Sequence, residues 1–286
     1  MTKRSRVFGT LLAAGAAGVG TWLAARRLTA DPPGDRATWQ RKNFRGSEVS
    51  LTGGPALVAG AAAGVAVAPG LTPRVRASGL ATTLAVGSVG LLDDLAAGID
   101  PAGRLGRLAG DTSSKGLRGH VSALSQGEIT TGVVKIGVIG LAGAAGAALV
   151  SDNAVDAVIG GAAVAGHANV VNLLDLRPGR ANKAAVLHAP LVLAGPGRAL
   201  GAAALGAAAA SLPDDLGERA MLGDCGANTL GALLGLALVA REGRRARLVH
   251  LAVVTALTLI SEKVSFTKVI EGTPVLREMD GLGRRP

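Results

Sequence analysis

Three polar clusters close long apolar runs in this 286-residue chain, and each is rich in carboxylates or carboxamides. They are Asp93-Asp94 in GLLDD, Asn169/Asn172/Asp175 in NVVNLLD, and Asp224 in MLGDCGAN. An acid at the edge of an apolar segment is costly unless something positive meets it. Three such edges in one chain point to a shared cation site, most simply a divalent metal holding a phosphorylated substrate.

Each cluster also has a plainer reading. Adjacent Asp93 and Asp94 repel, so one stays protonated unless a metal or a Lys/Arg neutralises it; alternatively they form a solvated helix end. Asn169, Asn172 and Asp175 are spaced three and three, which on a helix spreads them over roughly one face. Asn donates and accepts, whereas ionised Asp only accepts, so the stripe suits a nucleotide edge together with a metal. The Asn pair also suits helix–helix hydrogen bonding. Asp224 lies between Gly223 and Cys225-Gly226, before an apolar run whose N-terminus favours an anionic ligand; an Asp there is equally a helix N-cap. Lys115 and Arg118 in SSKGLRGH could grip a diphosphate or simply face lipid headgroups. Gly53-Gly54 in SLTGGPAL reads as a turn. His188 and His250 read as packed residues, His167 and His120 as outside candidates for polar contacts. No P-loop, dinucleotide fingerprint or nucleophile elbow is present.

The elements that position these clusters are apolar segments. The chain is 49% hydrophobic and 17% charged, with a mean hydropathy of +0.40, where a soluble domain would be about a quarter charged. Stretches of about 17–25 apolar residues recur, each long enough to cross a bilayer. The expectation is an all-α, polytopic membrane bundle of about nine transmembrane helices (eight to ten), forming one domain over 1–286. The spans are placed near 7–25, 55–73, 76–92, 129–150, 155–173, 184–196, 198–212, 228–240 and 247–263. The first, preceded by Lys3, Arg4 and Arg6, resembles a signal peptide and is read as uncleaved. Abundant Gly and Ala suit close helix packing in lipid. Basic loops at 26–54, 93–128 and 177–183 favour the cytoplasm, which brings Asp93-Asp94, Asp175, Asp224 and a cytoplasmic tail at 261–286 to one side. The expected location is the plasma membrane, multi-pass, with the active face cytoplasmic. The net charge of +10 is read as serving anionic lipid and phosphorylated substrates, not nucleic acid. A single cysteine, Cys225, excludes an internal disulfide.

In this order the clusters resemble those of the polyprenyl-phosphate sugar-1-phosphate transferases, the superfamily of phospho-MurNAc-pentapeptide transferase and the undecaprenyl-phosphate GlcNAc-1-phosphate transferases. The resemblance runs from about residue 45 to 240, and NVVNLLD and GDCGAN are its specific parts. It implies transfer of a sugar-1-phosphate from a UDP-sugar to a polyprenyl phosphate, releasing UMP, in cell-envelope and peptidoglycan synthesis. It implies Mg²⁺ as cofactor, held by Asp224 with help from Asp175 or the Asp93/Asp94 pair. Asp93, Asp94 and Asp175 would be catalytic, with Asp93 or Asp94 deprotonating or orienting the lipid phosphate. Asn169, Asn172, Lys115, Arg118, Gly53 and Gly54 would bind substrate. The expected partners are the UDP-sugar, the polyprenyl phosphate and the lipid bilayer; a homodimer is left open.

The chain also departs from the family's pattern. Ala97 stands where a Lys or Arg usually follows the paired Asp, and Glu48 stands where a Lys precedes the TGG-like turn. Leu176-Arg177-Pro178-Gly179 replaces the Gly-rich continuation of the Asn-Asn-Asp stripe, and the His-rich loop is missing. These departures motivate the alternative of a catalytically impaired member that binds polyprenyl lipid or an envelope-synthesis partner. A transporter is disfavoured, because the acids gather at one edge instead of the bilayer midplane.

Overall fold

A computed structural model of the chain describes residues 3–99 and 131–285, with side chains described for 4–96 and 135–285. The described chain is a helical bundle with one short hairpin. Helix α1 (Lys3–Ala30) leads through a 3-10 turn (Arg36–Trp39) into strands β1 (Gln40–Lys42) and β2 (Glu48–Ser50). Helices α2 (Gly53–Val67), α3 (Pro73–Ile99), α4 (Thr131–Ala148) and α5 (Ala154–Leu174) follow. Short α6 (Arg180–Leu187) and α7 (Ala189–Val192) precede α8 (Arg198–Leu216), α9 (Gly223–Val239) and α10 (Arg244–Ser261). Two small helices, α11 (Phe266–Gly272) and α12 (Pro274–Gly281), end it.

Helix α9 is the centre. Every residue from Cys225 to Val239 is buried, because α9 is wrapped by α2, α3, α5 and α8. Its Leu230, Leu233, Leu234 and Leu236 are almost fully buried, each worth about 1.5–3 kcal/mol as an upper figure. An all-round apolar helix is what a bundle's central position demands. At the periphery α1 lies along α2 and α8 through small residues: a Cβ on Gly64 would meet the Ala13 carbonyl at 2.6 Å and the Ala17 Cβ at 2.7 Å. Local signals set the boundaries. The Asn153 side chain accepts from Asp156 N–H to start α5, and Ser265 accepts from Lys268 N–H to start α11.

Two tethers fix the ends of the bundle. At one end the hairpin pairs Arg41 with Val49, and Ser50 then forms a parallel bridge to Ala220. In it Ser50 N–H donates to the Arg219 carbonyl at 3.1 Å, and Met221 N–H donates to Ser50 at 2.8 Å. That clip holds the approach to α9. At the other end the buried Arg247 guanidinium donates to the carbonyls of Val150, Asp156, Val239 and Glu242 and to Ser151 Oγ.

The helix lengths overturn the nine-span expectation. Among the described residues three helices are long and apolar enough to cross a membrane, Arg4–Ala30, Pro73–Ala96 and Ala154–Leu174, or four if α10 and α11, bent by 89° at their break, count as one. The expected spans at 55–73 and 228–240 are helices of 15 and 17 residues, about 22 and 26 Å at 1.5 Å per residue, short of a hydrocarbon core of about 30 Å. The run at 184–196 is broken into α6 and α7, and that at 198–212 continues into Pro213-Asp214-Asp215 within α8. The physical reason is that apolarity here records burial against neighbouring helices, most clearly in α9. The multi-pass plasma-membrane location and the one-sided cytoplasmic topology, which rested on nine alternating spans, are corrected with it. The 261–286 segment is not a free tail: α12 docks on α6 through a buried Arg180–Asp280 pair with bonds of 2.9 and 2.8 Å.

Candidate functional site

The end of α3, the start of α4, the end of α5 and the start of α9 meet at one end of the bundle, and the acids meet there with them. Asp94 turns its carboxylate onto the first turn of α9, accepting from Asp224 N–H and Cys225 N–H at 2.9 Å each. Asp175, which caps the C-terminus of α5, accepts from Gly223 N–H. Two helices thus satisfy three of the donors that any helix start leaves open. Gly223 is required at the junction: its φ is +58°, and a Cβ there would meet Asp94 Oδ2 at 2.7 Å. Gly90 allows the close approach of α3, since its Cβ would meet the Asp224 carbonyl at 2.5 Å.

Asp93 and Asp224 form the other half of the cluster. The Lys135 ammonium donates to Asp93 Oδ2 at 2.9 Å and to Asp224 Oδ2. Lys135 was not singled out in the sequence. Its signal was there, as a lone cation at the start of the apolar run 129–150, a placement that usually has a partner. Four acids converge with Lys135, and burial raises Asp94, to about 7, and Asp224 above the usual carboxylate range, so protons share with Lys135 the task of neutralising the cluster.

The Asn-Asn-Asp stripe divides between two cavities. Asn169 and Asn172 line a cavity of about 370 Å³ between α4, α5 and α10, with Lys135 and Asn228 on its wall; Asn169 also donates to Thr258 Oγ1 at 3.0 Å. Asp175 faces a second cavity of about 310 Å³, lined also by Lys42, Asn43, Phe44, Arg177 and Asp215. The Arg177 guanidinium sits 4.5 Å from the Phe44 ring centroid. Lys135 and Asp175 are therefore the residues through which the acid cluster touches each cavity. Burial raises Asp215 to about 6. Desolvation holds Asp175 well above the usual carboxylate range, reinforced by Asp215, Asp94 and Asp224.

The remaining sequence candidates fall elsewhere. Gly53 and Gly54 open α2 against residues 221–226, where a Cβ on Gly53 would meet the Met221 carbonyl at 2.5 Å and one on Gly54 would meet Cys225 Cβ at 2.8 Å. They are packing positions beside the cluster. Lys115, Arg118 and His120, with most of the 93–128 loop, lie outside the described residues. His167 and His250 are joined at 3.0 Å, His250 reaches Glu242 at 3.1 Å, and His188 packs edge-on to His167 at 4.9 Å between centroids. This buried chain was not visible from spacing, because His167 and His250 come from α5 and α10, His188 from the turn after α6 and Glu242 from the turn before α10.

Among the described residues no group of three or more His, Cys, Asp or Glu side chains is arranged to hold a metal. Magnesium seldom needs one, since it commonly takes one or two carboxylates and completes six oxygens with water and substrate phosphates. Asp93 and Asp224 already hold one cation between them, the Lys135 ammonium, and their donor set is all oxygen, so the pair fits that ion. Neither a protein-family model nor a curated protein matches the chain.

Proposed function

We propose that the chain transfers a sugar-1-phosphate from a UDP-sugar to a polyprenyl phosphate, with release of UMP. The observation that carries this reading is the acid cluster, which touches one cavity through Lys135 and the other through Asp175. The second cavity offers Phe44 for stacking, Asn43 and Asp175 for a base or ribose, and Lys42 and Arg177 for phosphate. The first is apolar with a polar wall of Asn169, Asn172 and Lys135, which suits a lipid chain ending in phosphate. Both volumes fall in the small-ligand range of about 300–1,000 Å³.

In the reaction, an oxygen of the lipid phosphate forms a bond to the phosphorus that bears the sugar. The bond from that phosphorus to the UMP oxygen breaks, and UMP leaves with the electron pair. Chemistry of this kind is mainly positioning and charge neutralisation. Magnesium, when bound by Asp93 and Asp224, would supply charge neutralisation at the donor's diphosphate. Asp94 and Asp175 hold the α9 N-terminus in place, so of the Asp93/Asp94 pair it is Asp93, bonded to Lys135, that would orient the acceptor. Lys135, with three donors on a flexible stem, offers positive charge to the migrating phosphoryl group.

A second reading, a catalytically impaired member that binds polyprenyl lipid, is favoured by the Lys135 bridge, which engages both carboxylates. One assay separates them: labelled sugar-phosphate transfer to polyprenyl phosphate, screened over a panel of UDP-sugars with Mg²⁺. Transfer that Asp224→Asn and Asp93→Asn each abolish supports the enzyme. Lipid binding without transfer from any donor supports the second reading and removes the first.

A further inference from the structure

Asp93 and Asp224 share one cation, and two carboxylates brought that close do not both ionise without one. The cation present is tethered. Lys135 sits near the start of α4, bonds one oxygen of each carboxylate, and also lines the 370 Å³ cavity. All three side chains keep about a fifth of their surface open, 20%, 20% and 23% for Lys135, Asp93 and Asp224, so the bridge is within reach of an incoming ion. The oxygens that Lys135 uses, Asp93 Oδ2 and Asp224 Oδ2, belong to the two groups that would hold a divalent ion.

We propose that Lys135 is a tethered counter-ion: its ammonium holds Asp93 and Asp224 together in the metal-free protein and competes with a divalent cation for their oxygens. The inference rests on the magnesium-dependent reading above. Lysine suits the task, because its compact charge rides on a flexible four-carbon stem and the cavity it lines gives it somewhere to go. The exchange has a consequence for order. Metal arriving alone must displace the ammonium, whereas metal arriving with a diphosphate offers the displaced ammonium new oxygens. Metal and donor therefore bind cooperatively, and free metal binds weakly.

The test is metal binding by the full-length protein, without substrate. Wild type, Lys135→Gln, Lys135→Met and Lys135→Arg are titrated with Mg²⁺ alone by calorimetry and with Mn²⁺ alone by electron paramagnetic resonance. The expected result is binding about tenfold tighter in the Gln and Met variants, the equivalent of one modest ion pair, and unchanged in the Arg variant. Asp224→Asn removes binding in each background. In the wild type, saturating Mg²⁺ also raises labelling of Lys135 by an amine-directed reagent, a readout that needs no variant to fold. Equal affinity in wild type, Gln and Met variants, or labelling that Mg²⁺ leaves unchanged, overturns the counter-ion role while leaving the transferase reading standing. No binding of either ion by any of the four proteins overturns the metal reading and this inference together.

Discussion

Replacing Asp94 by Ala should cost stability first and chemistry only through it. Both Asp94 oxygens are engaged, one by Asp224 N–H and one by Cys225 N–H, at 2.9 Å each. Truncation leaves two donors at the start of the central helix without an acceptor. An orphaned buried donor costs about 1–3 kcal/mol, and loss of an ordinary N-cap about 0.5–2 kcal/mol. Because the Asp224 end is partly open and water can reach it, about 2–4 kcal/mol is the working figure. Asp94→Asn keeps one oxygen and sheds a charge that burial disfavours, raising the Asp94 pKa to about 7, so it should lose well under half of that at neutral pH. Asp93→Ala removes one lysine bond at a partly open site and should cost about 1 kcal/mol. The assay is urea unfolding followed by far-ultraviolet circular dichroism, with the three variants and wild type at one pH. If Asp94→Ala unfolds within about 0.5 kcal/mol of wild type, or no earlier than Asp93→Ala, the capping role is wrong and Asp94 returns to the list of reacting groups.

Gly90→Ala should force α3 away from α9, since its Cβ would meet the Asp224 carbonyl at 2.5 Å and Cys225 Cα at 2.7 Å. A loss of about 1–3 kcal/mol is expected, and a neutral thermal melt would refute the close approach. Arg180→Ala leaves the Asp280 carboxylate, 7% exposed, with Arg284 alone. The cost is about 3 kcal/mol, and limited proteolysis should open the 262–265 link; an unchanged digestion pattern would speak against the docked C-terminus. Asp215 has its pKa raised from 3.8 to about 6 by burial, so the folded state binds the extra proton between those values. Stability therefore falls as pH climbs from about 4 through 6 and stays lower above. Asp215→Asn should gain up to about 3 kcal/mol over wild type at pH 8 and nothing at pH 4. An equal offset at both pH values would contradict this.

The helical character of the chain was legible in its apolar runs, and so was the coming together of Asp93, Asp94, Asp175 and Asp224. Nine alternating spans do not bring them together: the acids meet because α3 and α5 end where α4 and α9 begin. Hydropathy alone does not distinguish a helix buried in protein from one buried in lipid, and α9 is the case in point: its all-round apolarity serves a bundle centre. Spacing also misled at NVVNLLD. Three-residue steps put Asn169 and Asn172 on one cavity, but Asp175 ends the helix and faces the other. What spacing could not reach were pairs made across long separations. Lys135 with Asp224, Arg180 with Asp280 and His167 with His250 each join residues 83 to 100 positions apart, and each reads as an isolated polar residue until the fold is known.

Everything proposed for the site requires Asp93 and Asp224 to stand side by side. Cysteines at both positions, in a chain whose single native cysteine is replaced by Cys225→Ala, test this directly under mild oxidation. A Lys42→Cys/Glu48→Cys pair serves as control, because the two exposed residues face each other directly across the β1–β2 hairpin. The expected result is an intramolecular disulfide between positions 93 and 224, formed as readily as the control. A control that closes while 93 and 224 stay unjoined would contradict the shared site.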